Sequence, residues 1–319
     1  MPVALPQLRV GEPVGHGSLQ VFPLFASAAG TVEYRLADEA LADQSLTVEE
    51  VSTGGSVPEL MVENRGDVRV LFLEGEQLIG AKQNRILNTS VLVAAHSKLK
   101  VPVSCVEQGR WHYNSPVFGF SGTHAPSKVR RALKGSVSAS LKAKQGYRSD
   151  QGQVWSEVAC LQKSAGVSSH TAALSDVFDS FQEQIASYRV HAKSVDGAAG
   201  LAVAVGDRLV SVDVFDKPAT CEKVWNRLLT GVALDALETP GSDHPPVVAD
   251  VEQLLASTGD LTWEAAEAVG EGQEFRAQSR RGDQASALAW DETIVHGSLV
   301  AAEYTGKMRG QRPESAEYG

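Results

Sequence analysis

The sequence predicts an α+β protein, with a β-rich, sandwich-like N-terminal part followed by a helical and mixed α/β C-terminal part. Three observations carry this. Up to residue 106, short apolar runs rich in β-branched residues are separated by Gly- and Asn-containing breaks. From Ser127 the apolar spacing changes to steps of three and four. An alternating hairpin pattern then returns on either side of Gly206-Asp207. The β-rich part is placed at residues 1–126 and the helical and mixed part at 127–306, as a second unit or a continuation of the first. The polar, Gly-rich tail 307–319 is expected to be disordered.

The elements follow in order. Leu19 to Phe25, Leu46 to Val51, Val68 to Phe72, Ile86 to Val93 and Leu99 to Val106 read as strands, with one helix around Tyr34 to Leu41. Short strands so spaced suit a sandwich or an open barrel. Gln108 to Pro126 reads as loop, because Gly109, Pro116, Gly119, Gly122 and Pro126 punctuate it. Ser127 is placed as the cap of a helix reaching about Lys144. Val154 to Leu161 is a second helix. Thr171 to Tyr188 is a third, with Leu174, Phe178, Phe181, Ile185 and Tyr188 on one stripe. After the hairpin, Pro218 opens a helix to about Leu237, and Asp216 is read as its cap. Val247 to Ala256 is a weaker helix. Glu274 to Arg276, Ala285 to Trp290 and Ser298 to Glu303 are strands.

Composition excludes several classes. With 43% hydrophobic and 21% charged residues, the 319-residue chain is ordinary for a folded soluble protein. A net charge of −10 argues against a general nucleic-acid binder. No apolar run approaches the roughly 20 residues that span a bilayer, so no membrane partner is expected. Cys105, Cys160 and Cys221 are widely spaced, which suits reduced thiols in a cytoplasmic protein and no disulfide framework or zinc site. The N-terminus lacks the pattern of a signal peptide. Charge is uneven. Gln108 to Ser149 holds eight cations and no acid, whereas Asp235 to Phe275 holds ten acids and no Lys or Arg. The first stretch reads as an interface or solvated face, or as an anion site.

Polar residues concentrate in two segments, EGEQLIGAKQNRILN (Glu74 to Asn88) and VPVSCVEQGRW (Val101 to Trp111). Glu76 and Glu107 are the candidate catalytic carboxylates. Gln77, Lys82, Gln83, Asn84, Arg85, Asn88, Arg110 and Trp111 are the candidate ligand-binding residues. The amides suit hydroxyls, the guanidinium forks suit phosphate or carboxylate, and Lys82 is a point charge. Gly75 to Gly80 imitates the start of a phosphate-binding loop, but Gly80-Ala81-Lys82-Gln83 lacks the Gly-Lys-Ser/Thr ending. Cys105 alternates with its strand neighbours and reads as a small buried residue, with a nucleophilic role beside His96 or His112 as the minority reading. Trp155 and Trp225 read as core anchors. No histidine pair has metal-ligand spacing, and the residues specify no metal or cofactor.

These two segments resemble the ADP-ribosylglycohydrolase (ARG)- and rhodanese-phosphatase-superfamily-associated protein domain family. The start of the Ser127 helix, the Gly200 to Phe215 hairpin and the Trp225 helix agree, so the resemblance covers residues 10 to 305 or so. It implies an association with ADP-ribosylglycohydrolases and rhodanese-type phosphatases, and through them with NAD or ADP-ribose metabolism. It carries over no catalytic residue. The implied ligand is a small phosphate-bearing one of the ADP-ribose type, with Arg85, Arg110 and Lys82 toward its phosphates and Glu76 or Asn84 toward its hydroxyls. Two other readings stand beside it. One is a non-catalytic scaffold, self-associating as a homo-oligomer, whose polar segment is structural. The other is a metal-dependent hydrolase using Glu74, Glu76 and Glu107 with a histidine.

Overall fold

A computed structural model describes residues 6–52 and 54–302, and the tail expected at 307–319 lies outside the described residues. The architecture is α+β, with a strand-rich N-terminal region. Among the described residues, three sheets organise it. The largest is antiparallel, with strands in the order Leu8–Val10, Leu19–Ala26, Gly200–Val205, Arg208–Phe215, Thr293–Val300, Gln284–Trp290, Gln273–Gln278 and Glu264–Glu267. Val14–His16 also pairs with Leu19–Ala26. Residues before 27 thus pair with residues after 199, for example Val21 opposite Val203. The first strands therefore share a sheet with strands from the C-terminal part.

The second sheet runs Phe118–His124, Glu76–Gly80, Arg85–Leu87, Ser97–Cys105, Glu59–Asn64, Leu46–Glu50. It curls until the backbones of its edge strands, Phe118–His124 and Leu46–Glu50, come within 8 Å of each other. These two do not pair, so the sheet is a barrel with an open seam. A third sheet joins Val91–Val93, Arg69–Phe72 and Tyr34–Leu36. Leu60, Val62, Phe72, Leu78, Val101, Val103 and Phe118 fill the space between these sheets.

Helix Pro218–Leu237 packs against strand Phe118–His124 of the second sheet and against strands of the largest one. Pro218 sits in its first turn, where a missing N–H costs nothing. Its Trp225 is fully buried and donates its indole N–H to Ala192 O at 2.7 Å, as a core anchor should. Gly231 lets the helix approach closely, because a Cβ there would meet Ala125 O at 2.4 Å. Helix Ser127–Lys142 packs beside it, turning Val129 and Leu133 into the main core and burying Val137.

Several expectations change. The helix expected over 171–188 is two, Leu174–Ser180 and Gln182–His191, because Phe181 leaves helical geometry at φ −119° and ψ 22°. Its apolar stripe still faces the core. Gln108 to Pro126 is not all loop. Its strand Phe118–His124 was hidden by glycines that serve a register shift between Phe120 and His124, where Gly122 has φ +74°. Ile86 to Val93 is two strands in different sheets, parted at Asn88 to Ser90. Tyr34 to Leu36 is strand, and the helix is Ala37–Ala42. Ser127 does not cap its helix through its side chain. It donates its backbone N–H to Asp235 Oδ2 at 2.9 Å. Lys217, not Asp216, stands at the cap position before Pro218, and the Asp216 carboxylate accepts from the Tyr34 hydroxyl. Trp155 is only half-buried.

Candidate functional site

The first polar segment folds as strand Glu76–Gly80, a turn, and strand Arg85–Leu87. Gly75 enters it at φ +82°, where a Cβ would press on the His124 ring at 2.7 Å. Ala81 takes φ +39° in the turn, and neighbours hold it there. Arg110 Nη1 donates to Ala81 O at 2.6 Å, and the Ala81 N–H donates to Ser115 Oγ at 3.0 Å. The turn is therefore built by the second polar segment and the loop after it.

Glu107 is the hub of that junction. Its Oε1 accepts from Arg110 Nε at 2.8 Å and Thr171 Oγ1 at 3.0 Å. Its Oε2 accepts from Arg110 Nη2 at 2.6 Å and the Asn84 N–H at 3.0 Å. Burial opposes ionisation, but the Arg110 fork, the Asn84 N–H and the Thr171 hydroxyl outweigh it and hold the carboxyl below its usual value. Asn84 Oδ1 accepts from Arg110 Nη2 at 3.2 Å and the Gly80 N–H at 3.2 Å, while its Nδ2 donates to Ser175 Oγ at 3.3 Å.

Glu76 belongs elsewhere. Fully buried, it accepts from Arg227 Nη1 and, at 2.9 Å, from the Leu73 N–H. Burial raises its pKa against the pull of Arg227. Arg227 lies over the Phe120 ring at 4.6 Å and pairs onward with Asp38 Oδ2 at 3.0 Å. Asp38 Oδ1 is buried with no hydrogen-bond partner.

The remaining candidates divide among three places. Gln83, Arg85 and Cys105 cluster beneath Trp111. Gln83 Oε1 accepts from Arg85 Nη1 and from Cys105 Sγ, both at 3.2 Å. Lys82 donates to Gly54 O at 2.7 Å and lies over the Trp111 and Tyr113 rings at 5.2 Å each. Trp111 is 47% exposed. Gln77 is buried at the foot of the seam, with Oε1 accepting from Thr123 Oγ1 at 2.9 Å and Nε2 unpartnered. Asn88 faces the opposite side. It donates to Tyr147 O at 2.9 Å and accepts from Ser104 Oγ at 2.6 Å. Cys105 is the buried strand residue expected. Burial pushes its thiol up, and His96 and His112 stand exposed.

A groove of about 1140 Å³ runs along the barrel seam. Both edge strands line it, with Leu46, Thr47 and Val48 on one and Phe118, Phe120, Ser121 and Thr123 on the other. Asn84 and Ser175 stand in one wall and Asp38 in another. Neither predicted catalytic acid reaches the groove. Each stands one residue behind it, Glu107 holding Arg110 against Asn84 and Glu76 holding Arg227 against Asp38. Asp38 and Arg227 carried no sequence signal. Asp38 reads as a surface acid on a short helix, and Arg227 as one cation on a long one.

Other acids are engaged separately. Glu74 pairs with Lys134 Nζ at 2.8 Å and with Arg276 Nη1 at 3.4 Å. Thus Glu74, Glu76 and Glu107 do not converge. Among the described residues, no group of three or more His, Cys, Asp or Glu side chains is placed to hold a metal ion. None of the described helices is long and apolar enough to cross a membrane.

The result is an α+β scaffold with a seam groove, whose wall residues Asn84 and Asp38 are held by acid–arginine pairs. The chain belongs to the ARG and Rhodanese-Phosphatase-superfamily-associated Protein domain family, whose profile matches residues 7–300. That name links it to proteins of the ARG and rhodanese-phosphatase superfamilies. No curated protein and no solved structure matches the chain.

Proposed function

We propose that the seam groove binds a polyhydroxylated ligand of the ADP-ribose type, a phosphosugar or NAD-derived molecule, in a cytoplasmic protein. The observation that carries this is the doubly braced wall. Asn84 and Asp38 face one cavity, and each is fixed from behind by a buried ion pair, Glu107–Arg110 or Glu76–Arg227. Preorganised amides and carboxylates suit ribose hydroxyls, and the half-buried Phe120 side chain offers apolar surface to a base. Glu76 and Glu107 act here as positioning residues. Arg110 serves through Asn84 and not as a direct phosphate fork, since its guanidinium is occupied by protein acceptors. The family association supports the ligand class.

Isothermal titration with ADP-ribose, its phosphorylated form and NAD tests this. At least one should bind, and Asp38→Asn and Asn84→Ala should each weaken it about tenfold, the loss of one good hydrogen-bonded contact. No binding of any of the three at millimolar concentration overturns it. A second reading is favoured by the burial of Gln83, Arg85, Glu107 and Arg110: the polar segment is structural, in a self-associating scaffold. Light scattering across salt concentration separates the two. The second reading requires that Arg85→Ala or Glu76→Ala split an oligomer while no ligand binds.

A further inference from the structure

Arg85 is a buried cation with two of its three guanidinium nitrogens unpartnered. It is fully buried on strand Arg85–Leu87, directly opposite Cys105 of the neighbouring strand. Its Nη1 donates to Gln83 Oε1 at 3.2 Å and to Asn84 O at 3.4 Å. Its Nε and Nη2 donate to nothing. These two nitrogens share one edge of the guanidinium, and that edge is the fork that grips an oxyanion with two parallel N–H bonds. A buried donor without an acceptor costs on the order of the bond it lacks.

The surroundings restrict what could fill the fork. Glu50 Oε1 stands 3.8 Å from Nη2, too far for a hydrogen bond, and is engaged by the Lys82 N–H at 3.3 Å. Glu50 Oε2 is buried and has no partner either. Glu107 and Arg110, the next charges along, are satisfied by each other. The Cys105 thiol is turned to Gln83 Oε1 and Glu107 O. Trp111 covers the cluster, with its ring 5.8 Å from Arg85 Cζ. A Cβ at Gly55 would meet Lys82, Glu50 and Trp111 together at 3.1–3.3 Å, so that glycine lets its loop close over the same spot. An occupant must offer acceptors to Arg85 and a hydrogen to Glu50.

We propose that Arg85, Glu50 and Trp111 form a buried receptor for a small oxyanion that carries a hydrogen, namely phosphate or a terminal phosphate monoester, admitted when the Trp111 loop swings aside. Two oxygens take the Arg85 fork and a P–OH donates to Glu50 Oε2. Sulfate has the same shape and charge range but no proton near neutral pH, so it would set an oxygen lone pair against the Glu50 carboxylate. The receptor stands apart from the seam groove, and its success or failure is independent of that site.

Titration calorimetry on the full chain near pH 6.5 tests it, with inorganic phosphate, sulfate and glycerol phosphate as probes. Phosphate should bind at least about tenfold tighter than sulfate, the penalty of an unpaired buried acid against an oxyanion. Glu50→Gln, whose amide can donate, should bring the two ions within about threefold of each other. Arg85→Lys keeps the charge but loses the fork, and should weaken phosphate about tenfold or more. If Arg85→Lys does not fold, Glu50→Gln still decides. Equal affinity for the two ions, a preference unchanged by Glu50→Gln, or no phosphate binding at tens of millimolar overturns the receptor. Competition by glycerol phosphate supports the monoester, and its absence overturns that half of the proposal.

Discussion

Arg130 and Arg85 are both buried, and they are used in opposite ways. Arg130 donates from Nη1 and Nη2 to the two Asp213 oxygens at 2.9 and 2.7 Å, and Nη2 also reaches Ser298 Oγ at 2.7 Å. Asp213 in turn meets His296 Nε2 at 3.2 Å, and His296 Nδ1 meets Ser90 Oγ at 2.7 Å. Nearby, Lys134 Nζ lies 2.8 Å from Glu74 Oε1, and Arg276 Nε lies 2.8 Å from Glu274 Oε1. This network ties helix Ser127–Lys142 to the C-terminal sheet and to the turn at Glu74. Arg85 faces its acid at 3.8 Å with a fork unfilled. A buried ion pair at contact distance fastens elements together. One held apart, with donors and acceptors unfilled on both sides, is arranged for something else.

The contrast breaks first on stability. Burial penalises the Asp213 charge, but Arg130 and His296 outweigh it and hold its carboxyl well below the usual range. Asp213→Asn leaves Arg130 buried without its anion, so urea unfolding should show a loss of about 3–5 kcal/mol. A loss under about 1 kcal/mol would mean that the network fastens nothing.

The same helix carries a pH-dependent tie at its start. Asp235 accepts from the Ser127 N–H, and burial pushes its carboxyl up to about 6. A raised folded-state value means that this group's stabilising contribution is full below about pH 4, its unfolded range, and is lost as pH rises through 6. The lost part is roughly 3 kcal/mol by the size of the shift. Glu76, Asp216 and Glu274 are raised by burial too, whereas Glu74, Glu107 and Asp213 are lowered. The informative quantity is therefore the difference between wild type and Asp235→Asn across pH 4–7. It should slope in the stated direction, and a flat difference would refute the tie.

Removing both charges at the loose pair is the next step down. A buried pair with poor geometry repays little of its desolvation. The double variant Glu50→Gln/Arg85→Gln should unfold within about 1 kcal/mol of wild type in phosphate-free buffer. A cost comparable to Asp213→Asn would make Arg85 a fastener like Arg130 and erase the difference between them.

Much of this arrangement was legible in the sequence, up to a definite point. Alternation and helical spacing placed most strands and helices, because each element buries one face. The polar segments were recognisable as a cluster, and Gln83, Asn84, Arg85, Glu107 and Arg110 do meet. What stayed hidden is direction. Glu76 and Glu107 stand behind the groove, Glu76 with Arg227 between it and Asp38, and Glu107 holding both Arg110 and the Asn84 N–H from behind. Asp38, Arg227 and Glu50 come from elements distant in sequence, and nothing local marks them. The pairing of residues 19–24 with residues 200–205 was equally illegible, because strand order depends on which edges the chain leaves open.

The acid-free stretch from Gln108 to Ser149 gives the smallest and cleanest test. It read as an interface or solvated face, or as an anion site, yet the helix Ser127–Lys142 divides it by periodicity. Arg130 and Lys134, four apart, point into the core, where Asp213 and Glu74 neutralise them. Lys128 and Lys142 point outward to Glu238 at 3.5 Å and Glu264 at 3.2 Å. The Lys142–Glu264 pair is about half exposed, so water and salt screen it. Lys142→Ala should shift unfolding by no more than about 0.5 kcal/mol. Two cations on one helix, twelve residues or fewer apart, should thus differ several-fold in effect solely by the face they occupy. If Lys142→Ala proves as damaging as Lys134→Met, the stretch is a single electrostatic unit, and the distinction between buried ties and solvated charge fails for it.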